Sequence, residues 1–220
     1  MGGNTVIKVL LVDDHDLFRD SLKMLIEQDK EICVVACAHN GNEALELCKQ
    51  HQPDIVLMDI LMPDCDGVKG VRLIKENFPD IKVVMLTSLS DEYNISQALM
   101  NGADGYLSKN LRGEELIKAI KSTDSGLVAM EQDTLNTLVK KIDSKGLESQ
   151  KEDKKLDIEL SDRERELIRL LVEGLSNKEI ASHFKMSEGS VKNNISQLLK
   201  RFGLESRVNL VVYAVRNGLV

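Results

Sequence analysis

Ile55-Val56-Leu57-Met58-Asp59-Ile60-Leu61-Met62-Pro63 is the stretch on which the fold turns. Four apolar residues in a row, rich in β-branched side chains, read as a strand buried on both faces. Pro63 stops the run from continuing as regular structure. A second run of this kind lies near the start, Val9-Leu10-Leu11-Val12, and it too ends in acid, Asp13-Asp14. Set side by side, the two strands bring three carboxylates to one sheet edge. Carboxylates so crowded repel, and at least one resists ionisation unless a cation sits among them. Such a cluster costs stability as structure and suits a hard divalent metal and a phosphoryl group.

Outward from these strands the first 124 residues alternate between two periods. Short β-rich runs fall at 7–12, 32–37, 55–58, 83–87 and 105–107. Between them, Phe18, Leu22, Leu25 and Ile26 share one helical face, as do Ala44, Leu45 and Cys48, then Val71, Leu73 and Ile74, then Leu116, Ile117 and Ile120. Strands alternating with helices predict a parallel sheet covered on both sides. Right-handed crossovers favour the α/β, flavodoxin-like (βα)5 order 2-1-3-4-5, in which strands one and three are neighbours. Ligands bind such sheets beyond the carboxyl ends of the strands, where Asp13, Asp14 and Asp59 fall.

Residues 125–159 break the alternation. Leu135, Leu138, Val139 and Ile142 suit one short amphipathic helix, and 143–159 is polar, mixed in charge and read as a solvated linker. From Leu160 the period is helical throughout. Ser161 with Glu164 and Ser176 with Glu179 are capping boxes, Ser187 caps a third helix, and Gly174 and Gly203 stand where helices stop. Segments 177–185 and 188–202, joined by a tight turn, have helix-turn-helix spacing, and a fourth helix runs over 207–217. The expected organisation is a sheet domain over 1–124, a linker over 125–159 and an all-α four-helix domain over 160–220.

Forty-two per cent hydrophobic and thirty per cent charged residues describe an ordinary water-soluble chain. No apolar stretch approaches the roughly 20 residues of a membrane span. The N-terminus lacks the basic-then-apolar pattern of a secretion signal, and Val6 breaks the myristoylation pattern. The expectation is a cytoplasmic protein without a membrane partner. Cys33, Cys37, Cys48 and Cys65 form no metal-ligand spacing and read as small buried apolar residues in a reducing compartment. The net charge of −7 is uneven: residues 160–220 carry ten basic and seven acidic side chains, the rest 19 and 29. A mildly basic domain beside an acidic one suggests two different partners.

Val12-Asp13-Asp14-His15, Met58 to Pro63 with Gly67, Leu86-Thr87-Ser88 and Gly105-Tyr106-Leu107-Ser108-Lys109, each at a strand end and in this order, resemble a two-component receiver domain. The resemblance implies that Asp59 is the phosphoacceptor, a carboxylate nucleophile forming an acyl phosphate. It implies that Asp13 and Asp14 bind Mg²⁺, with Asp59 and the Leu61 main-chain carbonyl as further oxygen ligands. Lys109 then pairs with a phosphoryl oxygen, Thr87 donates its hydroxyl to it, and Tyr106 turns inward as Thr87 moves. His15 is taken as a residue of the first helical turn. Receivers often carry proline after the lysine, whereas Asn110 stands here, which leaves the loop geometry open.

Residues 160–220 resemble the LuxR-type helix-turn-helix of NarL/FixJ-type response regulators, through Leu160 to Leu167, Gly174 to Ala181 and Ser190 to Phe202. The second helix of the pair then enters the major groove. Lys192, Asn193 and Ser196, with Gln197 on or near the same polar face, are expected at base edges or nearby phosphates, while Val191, Ile195, Leu198 and Leu199 face the core. Asn177, Lys178, Ser190, Asn194, Lys200 and Arg207 are candidates for phosphate contacts. Val208, Val211, Val212 and Val215 form a stripe expected to seal the domain or pair with a second copy. The expected function is a DNA-binding response regulator, phosphorylated on Asp59 by a histidine kinase and binding promoter DNA as a homodimer. It is not expected to be an enzyme beyond its own phosphorylation and dephosphorylation. A phosphatase using an aspartyl phosphate needs a general acid about two residues after the nucleophile, and Leu61 stands there. A receiver serving only as a dimerisation module is disfavoured by the intact acidic, Thr and Lys set.

Overall fold

Every residue of the strand Ile55–Asp59 is buried, because the strand lies at the centre of a five-stranded sheet with helices on both faces. The computed structural model describes residues 6–87, 92–127, 160–204 and 206–219. The strands are β1 (Ile7–Val12), β2 (Ile32–Ala38), β3 (Ile55–Asp59), β4 (Lys82–Thr87) and β5 (Gly105–Ser108). All pair in parallel in the order β2-β1-β3-β4-β5, as the alternation of periods predicts. The crossovers are α1 (Asp16–Ile26), α2 (Gly41–His51), α3 (Gly67–Asn77), α4 (Glu92–Met100) and, after β5, α5 (Gly113–Asp124). α1 packs on α5, and α3 packs between α2 and α4. Alternate β-strand residues feed opposite faces: Val9, Leu11, Ile55, Leu57, Val84 and Leu86 join Ile26, Leu116 and Ile120 in one cluster.

The register fixes the functional edge. Val12 pairs with Met58, Asp59 with Leu86 and Thr87 with Ser108. Asp13, Asp59, Thr87 and Lys109 therefore leave the sheet at one level. The Lys109–Asn110 peptide is trans, since no cis bond occurs among the described residues.

A second compact unit, within 130–220, holds α6 (Asp162–Val172), α7 (Asn177–Phe184), α8 (Glu188–Phe202) and α9 (Arg207–Arg216). Ser161 and Ser176 form the expected capping boxes, and the Ser187 side chain accepts from the Ser190 amide. Gly203 ends α8 at φ 65°, left-handed backbone where a side chain would be strained. Leu167, Ile168, Leu171, Ile180, Val191, Ile195, Leu198, Phe202, Leu210 and Ala214 make the core. The amphipathic segment expected at 135–142 and the linker after it lie outside the described residues.

The cysteines depart from expectation. All four are free, and Cys48 and Cys65 are buried, but Cys33 is exposed and Cys37 half-buried. β2 is an edge strand, so its alternate side chains meet solvent, which a count of apolar residues does not reveal.

Candidate functional site

Three carboxylates and one ammonium converge at the carboxyl edge of the sheet. Asp13 and Asp59 are nearly fully buried, at 3% and 6% exposure. The Lys109 ammonium donates to Asp13 Oδ2 at 2.6 Å and to Asp59 Oδ2 at 2.8 Å. Its charge lies 4.6 Å from the Phe18 ring centre, and the Lys109 amide donates to the Thr87 carbonyl at 2.8 Å. Asp59 Oδ1 accepts from the Ile60 amide at 2.8 Å. Burial holds the Asp59 carboxyl above its ordinary range, the Asp13 charge adds to this, and Lys109 offsets only part of it. For Lys109 the carboxylate contacts outweigh burial and push its pKa up, so it stays charged.

Asp14 sits beside this pair. Its Oδ1 is buried and accepts no hydrogen bond; the His15 Nδ1 stands 2.8 Å away without the alignment a hydrogen bond requires. An orphaned carboxylate oxygen at a carboxylate cluster is what a hard cation would satisfy. The donors of Asp13, Asp14 and His15 lie within 4.8 Å of one another. The set is dominated by oxygen, which fits Mg²⁺ and leaves the His15 nitrogen the poorest donor. His15 is the N-cap of α1, one residue before the helix rather than within its first turn.

Thr87 and Tyr106 are both buried, at 4% and 5% exposure. Leu61, by contrast, is 53% exposed at the rim. Gly67 closes the site from the α3 side. Its amide donates to the Ile60 carbonyl at 2.9 Å, and a Cβ there would stand 2.0 Å from the Asp59 carbonyl oxygen. The sequence reading did not assign a role to Arg19, which is buried at 7% exposure and donates to the Asp13 carbonyl at 2.5 Å. An arginine on a helix that otherwise buries apolar residues was the signal.

In the second unit α8 presents one polar face. Lys192, Asn193, Ser196, Gln197 and Lys200 are exposed, Ser190 and Asn194 are half-buried, and Val191, Ile195 and Leu198 are buried. Lys178 is exposed at the start of α7. Three expectations are corrected. Asn177 is 5% exposed, and its side-chain oxygen accepts from Arg207 Nη1 at 3.1 Å. Arg207 also donates to the Leu175 carbonyl, and burial lowers its pKa to about 10. Both clamp α7 to α9, Asn177 from the interior and Arg207 from a half-buried position. Val208, at 1% exposure, belongs to the interior and cannot meet a second copy, whereas Val215 is 44% exposed and Val211 and Val212 are half-buried.

A buried acid pair bridged by lysine at a flavodoxin-like sheet edge, with a separate helix-turn-helix unit, defines a receiver joined to a DNA-reading module. Residues 9–121 match the response regulator receiver domain family, and residues 159–214 match the bacterial regulatory proteins of the luxR family. The chain belongs to the two-component response regulators with a LuxR-type helix-turn-helix domain. It is 37% identical over 218 residues to the transcriptional regulatory protein LnrK of Bacillus subtilis, covering 97% of this chain and 99% of that one. The response regulator protein VraR of Staphylococcus saprophyticus is 33% identical over 214 residues, with 97% and 99% covered. Among solved structures, the response regulator ChrA of a heme-sensing two-component system superposes with a TM-score of 0.53 at 28% identity, covering 98% of this chain and all of that one. A LuxR-family response regulator from Aurantimonas sp. gives 0.58 at 30% identity over 62% of this chain and 97% of its own.

Proposed function

We propose that this response regulator is a phosphorylation-controlled transcription factor, switched when a partner histidine kinase phosphorylates Asp59. The observation that carries the reading is the Lys109 ammonium held between Asp13 and Asp59, beside the unsatisfied Asp14 oxygen. Asp59 is the nucleophile: one carboxylate oxygen attacks phosphorus while the bond to the donor breaks. The Ile60 amide orients that carboxylate, and Lys109 balances charge on the phosphoryl oxygens that arrive. The Thr87 hydroxyl would donate a hydrogen bond to one of those oxygens. Asp13, Asp14, Asp59 and the Leu61 carbonyl would hold Mg²⁺. When bound, the ion neutralises the carboxylates and the incoming phosphoryl charge.

The output is promoter binding by α8, with Lys192, Asn193, Ser196 and Gln197 toward the bases and Lys178, Ser190, Asn194 and Lys200 toward phosphates. Phosphorylation favours a homodimer, which would read two half-sites. With Val208 inside and Val211 packed partly against the same core, the outward side of α9 offers Val212 and Val215 for that contact. Its chemistry in this reading is its own phosphorylation and dephosphorylation, so we do not class it as an enzyme. A partner kinase and promoter DNA would both meet this protein in the cytoplasm, and no helix among the described residues is long and apolar enough to cross a membrane.

The test is DNA-site selection by the full chain with and without an acyl-phosphate donor, with oligomeric state read in parallel. The donor should tighten binding of the wild type and leave Asp59→Asn unchanged. Equal affinity of the two under donor sinks the proposal.

A further inference from the structure

Arg19 is the least explained polar residue of the receiver. It lies on α1, outside the acid cluster, yet it is 7% exposed and engaged through both Nη nitrogens. Nη1 donates to the Asp13 main-chain carbonyl at 2.5 Å, and Nη2 donates to Asp16 Oδ1 at 2.5 Å. Nη2 also meets His39 Nε2 at 3.0 Å. A guanidinium only donates, so Nε2 must accept and the ring proton sits on Nδ1. From there it is donated to Glu43 Oε2 at 2.9 Å. Glu43 Oε2 also accepts the His39 amide at 2.8 Å, which fixes the loop between β2 and α2. The chain Glu43, His39, Arg19 thus runs from the start of α2 to the carbonyl of Asp13.

That carbonyl matters because it belongs to the peptide joining Asp13 to Asp14. Its plane sets where the Asp14 backbone, and so the orphaned Oδ1, is aimed. The other groups of Asp13 are already held. Its amide donates to the Ala38 carbonyl at 3.1 Å, Oδ1 accepts the His15 amide at 2.9 Å, and Oδ2 accepts Lys109. Without Arg19, that carbonyl would lose its side-chain donor, and with it a restraint on the peptide plane between the two acids.

We propose that Arg19 is a positioning residue for the divalent cation: it touches no ligand oxygen of the cluster, and it aligns Asp13 and Asp14 by holding the carbonyl between them. The inference rests on the reading of Asp13 and Asp14 as a Mg²⁺ site. Partners that orient metal-binding carboxylates are worth about 10- to 100-fold in metal affinity when removed.

The experiment is an Mn²⁺ titration of the unphosphorylated full chain, with free Mn²⁺ read by electron paramagnetic resonance. Mn²⁺ serves as the probe because it takes the same oxygen sites as Mg²⁺. Arg19→Gln should raise the Kd by about 10- to 100-fold. Arg19→Lys, which donates one bond without the planar fork, should fall between that variant and wild type. In self-phosphorylation from a small acyl phosphate, the half-saturating Mg²⁺ concentration should rise while the rate at saturating Mg²⁺ holds. A merely structural role would lower the rate at all Mg²⁺ levels. Asp14→Asn is the control for the site. If it loses Mn²⁺ while both folded Arg19 variants bind within about twofold of wild type, well below the range expected for a positioning partner, the inference falls and the metal site stands. If Asp14→Asn binds like wild type, the metal assignment fails and the inference with it. Arg19→Lys keeps the charge and the stem, so it decides the question should Arg19→Gln not fold.

Discussion

Replacing Lys109 by Met removes the ammonium from between two buried carboxylates while keeping an unbranched apolar stem. The side chain is 13% exposed, and its partners Asp13 and Asp59 are 4% and 8% exposed at their side chains, so solvent does little to screen the loss. Removing one partner of such a buried pair costs about 3–5 kcal/mol. The methionine stem still covers Phe18, which places the expected loss near the lower end, about 3 kcal/mol at pH 7. At about 1.36 kcal/mol per tenfold, that is roughly a 100-fold shift in the opening equilibrium.

The loss should depend on pH with a definite sign. Folding raises the pKa of Asp59, so between its unfolded and folded values the native state binds the proton that the unfolded chain has lost. Stability from this group is complete below the unfolded value and declines as pH rises through the folded one. Lys109 is the main influence opposing that rise, so its removal extends the window toward neutrality. Native-state hydrogen exchange of the β1 and β3 amides reads the receiver alone, free of the second unit. Protection in Lys109→Met should fall about 100-fold at pH 7 and by less at a mildly acidic pH, where Asp59 takes up its proton. A loss below about 1 kcal/mol, the worth of an exposed pair, would refute the buried bridge. An equal loss at both pH values would refute the carboxylate repulsion.

Other consequences are as direct. Gly67→Ala puts a carbon 2.0 Å from the Asp59 carbonyl oxygen, so α3 must shift; thermal unfolding should show a loss of at least about 2 kcal/mol. Arg207→Met should lower stability of the C-terminal unit by about 2 kcal/mol, because Asn177 and the Leu175 carbonyl lose their donor, yet leave the salt dependence of DNA binding unchanged at equal folded fraction. Lys192→Ala should do the reverse, leaving stability intact and reducing the salt slope or the base preference of binding. In alkylation of the native chain, Cys33 should react first and Cys48 last, since burial pushes the Cys48 thiol up to about 12. Equal rates at the two positions would contradict the edge placement of β2.

Much of the molecule was legible from residue order, because the signals were local. The period of apolar residues separated strands from helices, and two apolar runs ending in acid named the functional edge. The capping boxes at Ser161 and Ser176 needed only three residues of separation to be seen. The polar face of α8 followed from i, i+4 spacing, and Lys192, Asn193, Ser196 and Gln197 on it are exposed.

The sequence by itself determined the sheet order, the acids at its carboxyl edge and the two-unit plan, since each follows from periodicity and chain reversal. Tertiary structure alone decided which polar groups are inside. Lys109 reaches Asp13 across 96 positions, Arg207 reaches Asn177 across 30, and His39 meets Arg19 across 20. No local pattern encodes such pairs: burial belongs to the neighbours a fold supplies, and a buried charge takes the partner it meets there. That is why Arg207 reads as a surface cation in the sequence and is a clamp in the structure, why Val208 seals the small unit, and why Arg19 turns from an ordinary helix residue into the support beneath Asp13.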